Sequence, residues 1–395
     1  MADGPVLGGG VQLTVRMGPL TTAPVPAELA RALLEAQVTA AAGQRSGFQL
    51  RFALARGGYV ERELLAGGYF APPTRVILVA TIDGRPHVLS DGVIGRVDVG
   101  QSGQVGASTL TISGSDVSQM MDLVDLSGVP MPAMPTIARV YFILARYTVY
   151  GVIPAAVPSA LDAFPNPLEK IPGHQGTDYA YLTQLADQAG YVFFVEPGAS
   201  AGVNIGYWGP QIRRGTPQRP LRVNMGSASN VDSLQLGFDG IRKTLFAVLI
   251  QNKATKFPIP VPLPDSNPLS PLQGARSIPP RSFQQLGHAG WSDHDTTDAA
   301  AKFDIATALS RGLARAAQSA NVVSATGTLD ARRYGGLLQA RQLVNLQGAT
   351  IDFDGEYFVS SVTTTLKRGA LTQSFSLERN ALGPSSNPVP PGQAS

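Results

Sequence analysis

Val11, Leu13 and Val15 are apolar and alternate with polar neighbours, the period of a strand with one buried face. The alternation returns at Phe48, Leu50, Phe52 and Leu54, after a short Ala/Leu-rich helix expected near Pro26 to Ala36. It continues at Val93, Gly95, Val97 and Val99, and at Leu110 and Ile112. Val76 to Ala80 and Pro86 to Ser90 flank Asp83-Gly84, a hairpin signal because glycine tolerates the positive φ that tight turns need. Many short strands with turn signals between Val11 and about Asp116 predict a β-barrel or sandwich.

The period then changes. In Gly114 to Leu126 the residues Val117, Met120, Met121 and Val124 fall on one face of a helical turn, a stripe that reads as core. Pro130, Pro132 and Pro135 punctuate a linker, and Thr136 to Ile153 reads as an apolar strand. Thr177 to Gly198 carries two signals back to back. Thr177 or Asp178 supplies a cap, and Leu182, Leu185, Ala186 and Ala189 form the apolar stripe of a short helix. Gly190 follows where helices commonly end left-handed, and Tyr191 to Val195 suits a buried strand.

Ala199 to Pro220 reads as an exposed loop holding Trp208 and the basic residues Arg213, Arg214 and Arg219, with Arg222 just beyond. In an assembly these arginines would meet acidic neighbours; no glycine-rich helix start marks a phosphate site. Leu245 to Ile250 reads as a strand. Phe257 to Pro280 holds Pro258, Pro260, Pro262, Pro264, Pro268, Pro271, Pro279 and Pro280, so an extended segment outside any sheet core is expected, as a linker or an arm. Asp295 to Asn321 is the longest helix candidate, capped by Thr296 or Thr297, with Phe303, Ala306, Leu309, Leu313, Ala316 and Ala317 as its stripe. Strands return from Val322: Gln342 to Leu346, Tyr357 to Leu366 and Leu371 to Leu377, with Asp354-Gly355 and Arg368-Gly369 at turns. The tail from Pro384 to Ser395 is expected to be disordered.

A chain of 395 residues exceeds one comfortable core, so several domains are expected. Its 31 basic and 28 acidic residues nearly balance, which gives no electrostatic reason to expect nucleic-acid binding and leaves room for protein partners. The absence of cysteine removes disulfides, thiolate metal sites and a Cys nucleophile. No basic and apolar leader opens the chain, and Val140 to Pro154 is too short to span a bilayer, so no membrane insertion is expected. The histidines are His87, His174, His288 and His294. Asp293-His294-Asp295 reads as a capping loop, because no spaced His pair accompanies it. No G-x-S-x-G elbow, P-loop or dinucleotide fingerprint is present. No catalytic residue, cofactor or metal is assigned, and an enzyme is not expected.

Three stretches in order carry a resemblance. Thr177, Asp178, Tyr181, Leu182, Leu185, Ala186, Gly190 and Tyr191 sit in TDYAYLTQLADQAGYVFFV. Asn224, Met225, Gly226, Asn230, Val231, Ser233 and Leu234 sit in VNMGSASNVDSL. Gly355, Tyr357, Val359, Leu377, Arg379 and Asn380 sit in the closing segment DGEYFVSSVTTTLKRGALTQSFSLERN. Together they resemble the phage late control protein D family, which holds baseplate hub proteins of contractile phage tails and injection systems and the hub half of type VI spikes. In that family the second stretch is a strand pair and the third a meander ending in a Leu-x-Arg-Asn strand. Two departures stand out: Thr363 to Thr365 where many relatives have a histidine, and Ala340-Arg341 in place of a glycine before Gln342 to Leu346.

The resemblance implies an α+β, mainly β chain with two tube-like β-barrel domains and smaller α/β insertions, assembling as a pseudo-sixfold trimer. The first barrel spans 1–115 and an α/β domain 116–219. The second barrel joins 220–255 to 321–383 around an insertion at 256–320, and 384–395 is tail. The implied function is a homotrimeric baseplate adaptor between a hexameric inner tube and a trimeric spike. Its partners would be further copies of itself, the spike protein, the inner tube protein and other baseplate proteins. No spike domain is evident beyond Gly383, so a separate spike polypeptide is expected. The chain would be made in the bacterial cytoplasm and end in a virion or injection-system baseplate. A tail-associated peptidoglycan hydrolase and a receptor- or glycan-binding tail module are the alternatives.

Overall fold

The computed structural model describes residues 10–101, 108–159, 172–251, 258–264, 266, 270–289 and 305–384. Pro268, the Asp293-His294-Asp295 loop, the caps Thr296 and Thr297, Phe303 and the tail beyond Pro384 lie outside the described residues.

The first part of the chain forms β1 (Val11–Gly18), β2 (Ala23–Pro24), helix α1 (Ala27–Ala32), β3 (Leu33–Ala41), β4 (Gly47–Ala53), β5 (Arg75–Ile82), β6 (Arg85–Gly100) and β7 (Thr109–Asp116). The alternation read in β1 is the burial pattern itself, with Val11, Leu13, Val15 and Met17 inside. β5 and β6 close at Asp83 and Gly84, both left-handed at φ 47 and 77, as a two-residue hairpin turn of matching twist requires. The expected helix near Pro26 to Ala36 stops at Ala32. Leu33 onward is strand, because β3 pairs with β4 on one side and with a strand from the far end of the chain on the other.

The middle of the chain forms α2 (Thr136–Ala145), β8 (Val152–Ala156), α3 (Asp178–Ala189), β9 (Val192–Pro197) and β10 (Asn204–Gly209). Thr136 to Ile153 is therefore mostly helix, which corrects the strand expectation. Val140, Ile143 and Leu144 are buried at i, i+3 and i+4, so the apolar content serves a helical stripe. The stretch Ala199 to Pro220 is also corrected: β10 lies between β8 and β9, parallel to one and antiparallel to the other, and Trp208 within it is fully buried. Of the Gly114 to Leu126 stripe, Val117 and Met121 are buried in a 3-10 turn ending at Asp122. Val124 lies beyond that turn and is exposed.

The rest forms β11 (Gln218–Arg222), β12 (Ser233–Phe238), β13 (Thr244–Gln251), β14 (Pro258–Pro262), β15 (Arg276–Ser277), β16 (Ser282–Ala289), α4 (Ile305–Ser319), β17 (Val323–Asp330), α5 (Ala331–Tyr334), β18 (Leu343–Gln347), β19 (Gly355–Lys367), β20 (Ala370–Arg379) and β21 (Ala381–Leu382). Part of the proline-rich segment, expected to be extended and outside any sheet core, is an edge strand: β14 pairs antiparallel with β13. Pro258, Pro260 and Pro262 alternate with Ile259 and Val261, so the missing N–H groups fall at every second position, a pattern an edge strand tolerates.

One sheet of 13 strands runs β12-β17-β20-β19-β3-β4-β7-β6-β5-β1-β2, with β18 also on β19 and β11 parallel to β18. The join is the antiparallel pairing of β3 with β19, where the Thr39 and Thr363 hydroxyls meet at 3.0 Å. Strands from the two ends of the chain thus share one sheet. β11 and β12, expected as a strand pair, instead pair with β18 and β17 respectively. The protein is α+β and mainly β. Its buried apolar residues fall into two clusters, one beneath the large sheet and one in the central unit around α2, α3 and Trp208.

Candidate functional site

The three sequence stretches come together as anchoring points of the fold rather than as one pocket. In the first, Thr177 is the cap: its hydroxyl accepts from the Ala180 N–H at 3.2 Å and donates to Asp122 at 2.6 Å. Asp178 is buried and accepts from Arg146 at 2.6 Å, from the Tyr147 hydroxyl at 2.7 Å and lies 2.7 Å from His174 Nε2. The Thr-Asp pair thus divides the work between capping and bracing. Tyr147, half-buried beside that carboxylate, titrates well above the usual tyrosine range, chiefly through burial and then through its bond to Asp178.

Tyr181 stacks on His174 at 4.5 Å and accepts a hydrogen bond from Arg139 at 2.6 Å, while Leu182, Leu185 and Ala186 face the central core. Gly190 ends α3 left-handed at φ 69, and a Cβ there would lie 2.4 Å from the Ser310 carbonyl of α4. Tyr191 packs edge-on to Trp208 at 4.9 Å.

In the second stretch, Asn224 is left-handed at φ 55 and donates to the Gly348 carbonyl at 3.2 Å. Met225 and Gly226 open a single 3-10 turn. Asn230 fixes the loop: its Oδ1 accepts from the Arg222 N–H at 2.8 Å and its Nδ2 donates to the Pro220 carbonyl at 3.0 Å. Val231 is buried, and Ser233 and Leu234 begin β12, with the Ser233 hydroxyl 2.7 Å from that of Thr328.

In the third, Gly355 starts β19, and Tyr357, Val359 and Leu377 are core. Arg379 is fully buried; its donors go to the carbonyls of Gln273 at 2.9 Å, Asp354 at 3.1 Å and Gly383, with Tyr357 under the guanidinium. Asn380 accepts from the Gln273 N–H at 2.9 Å and donates to the Pro271 carbonyl at 3.0 Å. The Leu-x-Arg-Asn ending therefore clamps the proline-rich segment to the sheet.

Arg213, expected in an exposed loop, is the reverse. It is buried, donates to Asn321 at 2.6 Å and to Glu378 at 3.2 Å, and lies 4.5 Å from the Phe358 ring centre. Burial pulls its guanidinium below the usual arginine range. Arg214, Arg219 and Arg222 are exposed, and Arg219 donates to the Tyr334 and Gly335 carbonyls. Arg75 and Asn204, both buried, and the half-buried Arg45 form further contacts that no motif marked. Among the described residues no group of three or more His, Cys, Asp or Glu side chains is placed to hold a metal ion, and no helix is long and apolar enough to cross a membrane.

No family model matches the sequence, and no curated protein matches it. Solved structures do. A tail protein from Neisseria meningitidis MC58 matches 94% of this chain and 97% of its own length at TM-score 0.60 and 15% identity. The 43 kDa tail protein of prophage MuSo2 from Shewanella oneidensis matches with 94% and 100% coverage, TM-score 0.62 and 12% identity. The fold is that of phage tail proteins. This tail-protein fold extends over nearly the whole chain and both sheet halves, so the expected hub-type resemblance is borne out at the level of architecture. A Francisella PdpA-VgrG complex matches 95% of this chain and 54% of that one at TM-score 0.53 and 9% identity, which extends the tail-protein fold to a part of a longer chain.

Proposed function

We propose that the chain is a structural baseplate hub: a trimeric symmetry adaptor joining a hexameric inner tube to a trimeric spike in a contractile phage tail or injection system. The observation that carries this reading is two-way coverage. Two tail proteins match this chain over nearly their whole lengths, so the likeness is between whole architectures and not between one shared module. A second support is the use to which the three sequence stretches are put. Their polar residues cap, clamp and brace, as in Thr177, Asn230 and Arg379, which suits a part that bears mechanical load.

In this reading 1–115 is the first tube-like domain, 220–255 with 321–383 is the second, and the central unit and the 256–320 insertion decorate them. Three copies would present six tube-like domains to the tube and threefold symmetry to the spike. Spike, inner tube and other baseplate proteins are the partners, and the particle is the destination. In the native host, removing the gene should yield particles in which tube and spike are no longer joined. Normal tube-spike particles without this chain would overturn the proposal.

A further inference from the structure

The central unit and the large sheet have separate apolar cores. Three arginines from separate places in the chain cross the seam between them. Arg75 of β5 makes a forked pair with Asp91 of β6 at 2.8 and 2.7 Å and reaches on to the Tyr150 carbonyl at 2.7 Å, while Asn204 of β10 donates to the same carboxylate at 3.0 Å. Arg45, from the β3-β4 turn, donates to Ser118, Gln119 and Asp122 at 3.0, 2.8 and 3.2 Å and covers the Tyr179 ring at 3.8 Å.

Arg341 is the third, and it is the unusual one. It precedes β18, and its side chain donates to Glu196 of β9 at 3.3 Å, to the Ala41 carbonyl at 2.9 Å and to the Ser46 hydroxyl at 3.3 Å, with the Phe194 ring centre 4.2 Å away. One side chain thus ties the C-terminal strands, the N-terminal strands and the central unit. It does so from a left-handed backbone at φ 65, a conformation costly for any residue with a Cβ, and its Nε is buried without a partner. Clefts of about 460 and 210 Å3 lie beside it, and both are lined by Glu196 and by Ala340, Arg341 and Gln342. A glycine would suit this backbone better, so the side chain is what the position is for.

We infer that the central unit is docked on the large sheet by a three-arginine latch, with Arg341 as its closing member, and that this seam opens locally while both apolar cores stay intact. A seam with clefts beside its cross-links has fewer packed contacts to lose on opening than the buried strands on either side. The inference does not depend on the tail role.

Amide hydrogen exchange on the full chain tests it. Arg341→Gly removes the guanidinium and suits the backbone, so it should fold. The expected result is exchange faster by about tenfold or more in peptides covering 192–197 and 41–46, with β17 and β20 at wild-type rates. Glu196→Gln, which leaves the strained backbone alone, should accelerate the same peptides by less. Wild-type rates at the seam in both variants would overturn the latch. So would equal acceleration across β17 and β20, because it would mean that Arg341 supports the whole fold and not the seam.

Discussion

Arg379 Nε donates to the carbonyl of Gln273 at 2.9 Å, joining the last long strand to a segment 106 residues earlier. The guanidinium is buried, and its partners are main-chain carbonyls, so its fixed fork geometry matters as much as its charge. Arg379→Lys keeps the charge and loses the fork. It should destabilise the chain by about 2–3 kcal/mol, read from the denaturant midpoint, because buried carbonyls are left unpaired. A midpoint equal to wild type would show that the clamp is dispensable.

Gly190 and Gly57 have the same φ of 69, but only Gly190 faces a neighbour. Gly57→Ala should cost about 1–2 kcal/mol, the penalty of a left-handed residue bearing a Cβ. Gly190→Ala adds a collision with the Ser310 carbonyl and should cost clearly more, with the excess felt at the α3-α4 contact. Equal losses of thermal stability would mean that α4 yields freely to α3.

Burial pushes the Tyr334 hydroxyl up to about 12. Between the unfolded value of about 10 and that value, the folded chain holds a proton that the unfolded chain gives up, so stability falls as pH rises through this window. Tyr69, Tyr147, Tyr207 and Tyr357 are shifted the same way, chiefly by burial. Stability should therefore fall more steeply above pH 10, read from the denaturant midpoint against pH. Tyr334→Phe should flatten that limb, although it also frees the Arg219 carbonyl, which accepts from Tyr334 at 2.7 Å. An alkaline limb as steep in Tyr334→Phe as in the wild type would contradict the burial argument.

Local chemistry made much of this legible in the sequence. The Asp83-Gly84 hairpin, the Thr177 to Val195 helix and strand, and the meander from β18 to β20 follow from periodicity and turn residues within a short window. Thr136 to Ala145 misled because its aromatic and β-branched residues favour a strand, while the i, i+3, i+4 burial of Val140, Ile143 and Leu144 depends on a core supplied from α3 and β10. Pairings such as Thr39 with Thr363 leave no trace in either strand alone. Nor did the loop around Arg213 show that Asn321 and Glu378 would enclose it. Arg341 gave one signal, an arginine where a glycine was expected, but its role required the three segments that surround it.

Native mass by light scattering, with the protein alone and then mixed with its candidate spike, decides for or against the threefold adaptor. A mass of about three chains, or a shift to three chains when the spike is added, is expected. A monomer that ignores both the spike and the inner tube would contradict it.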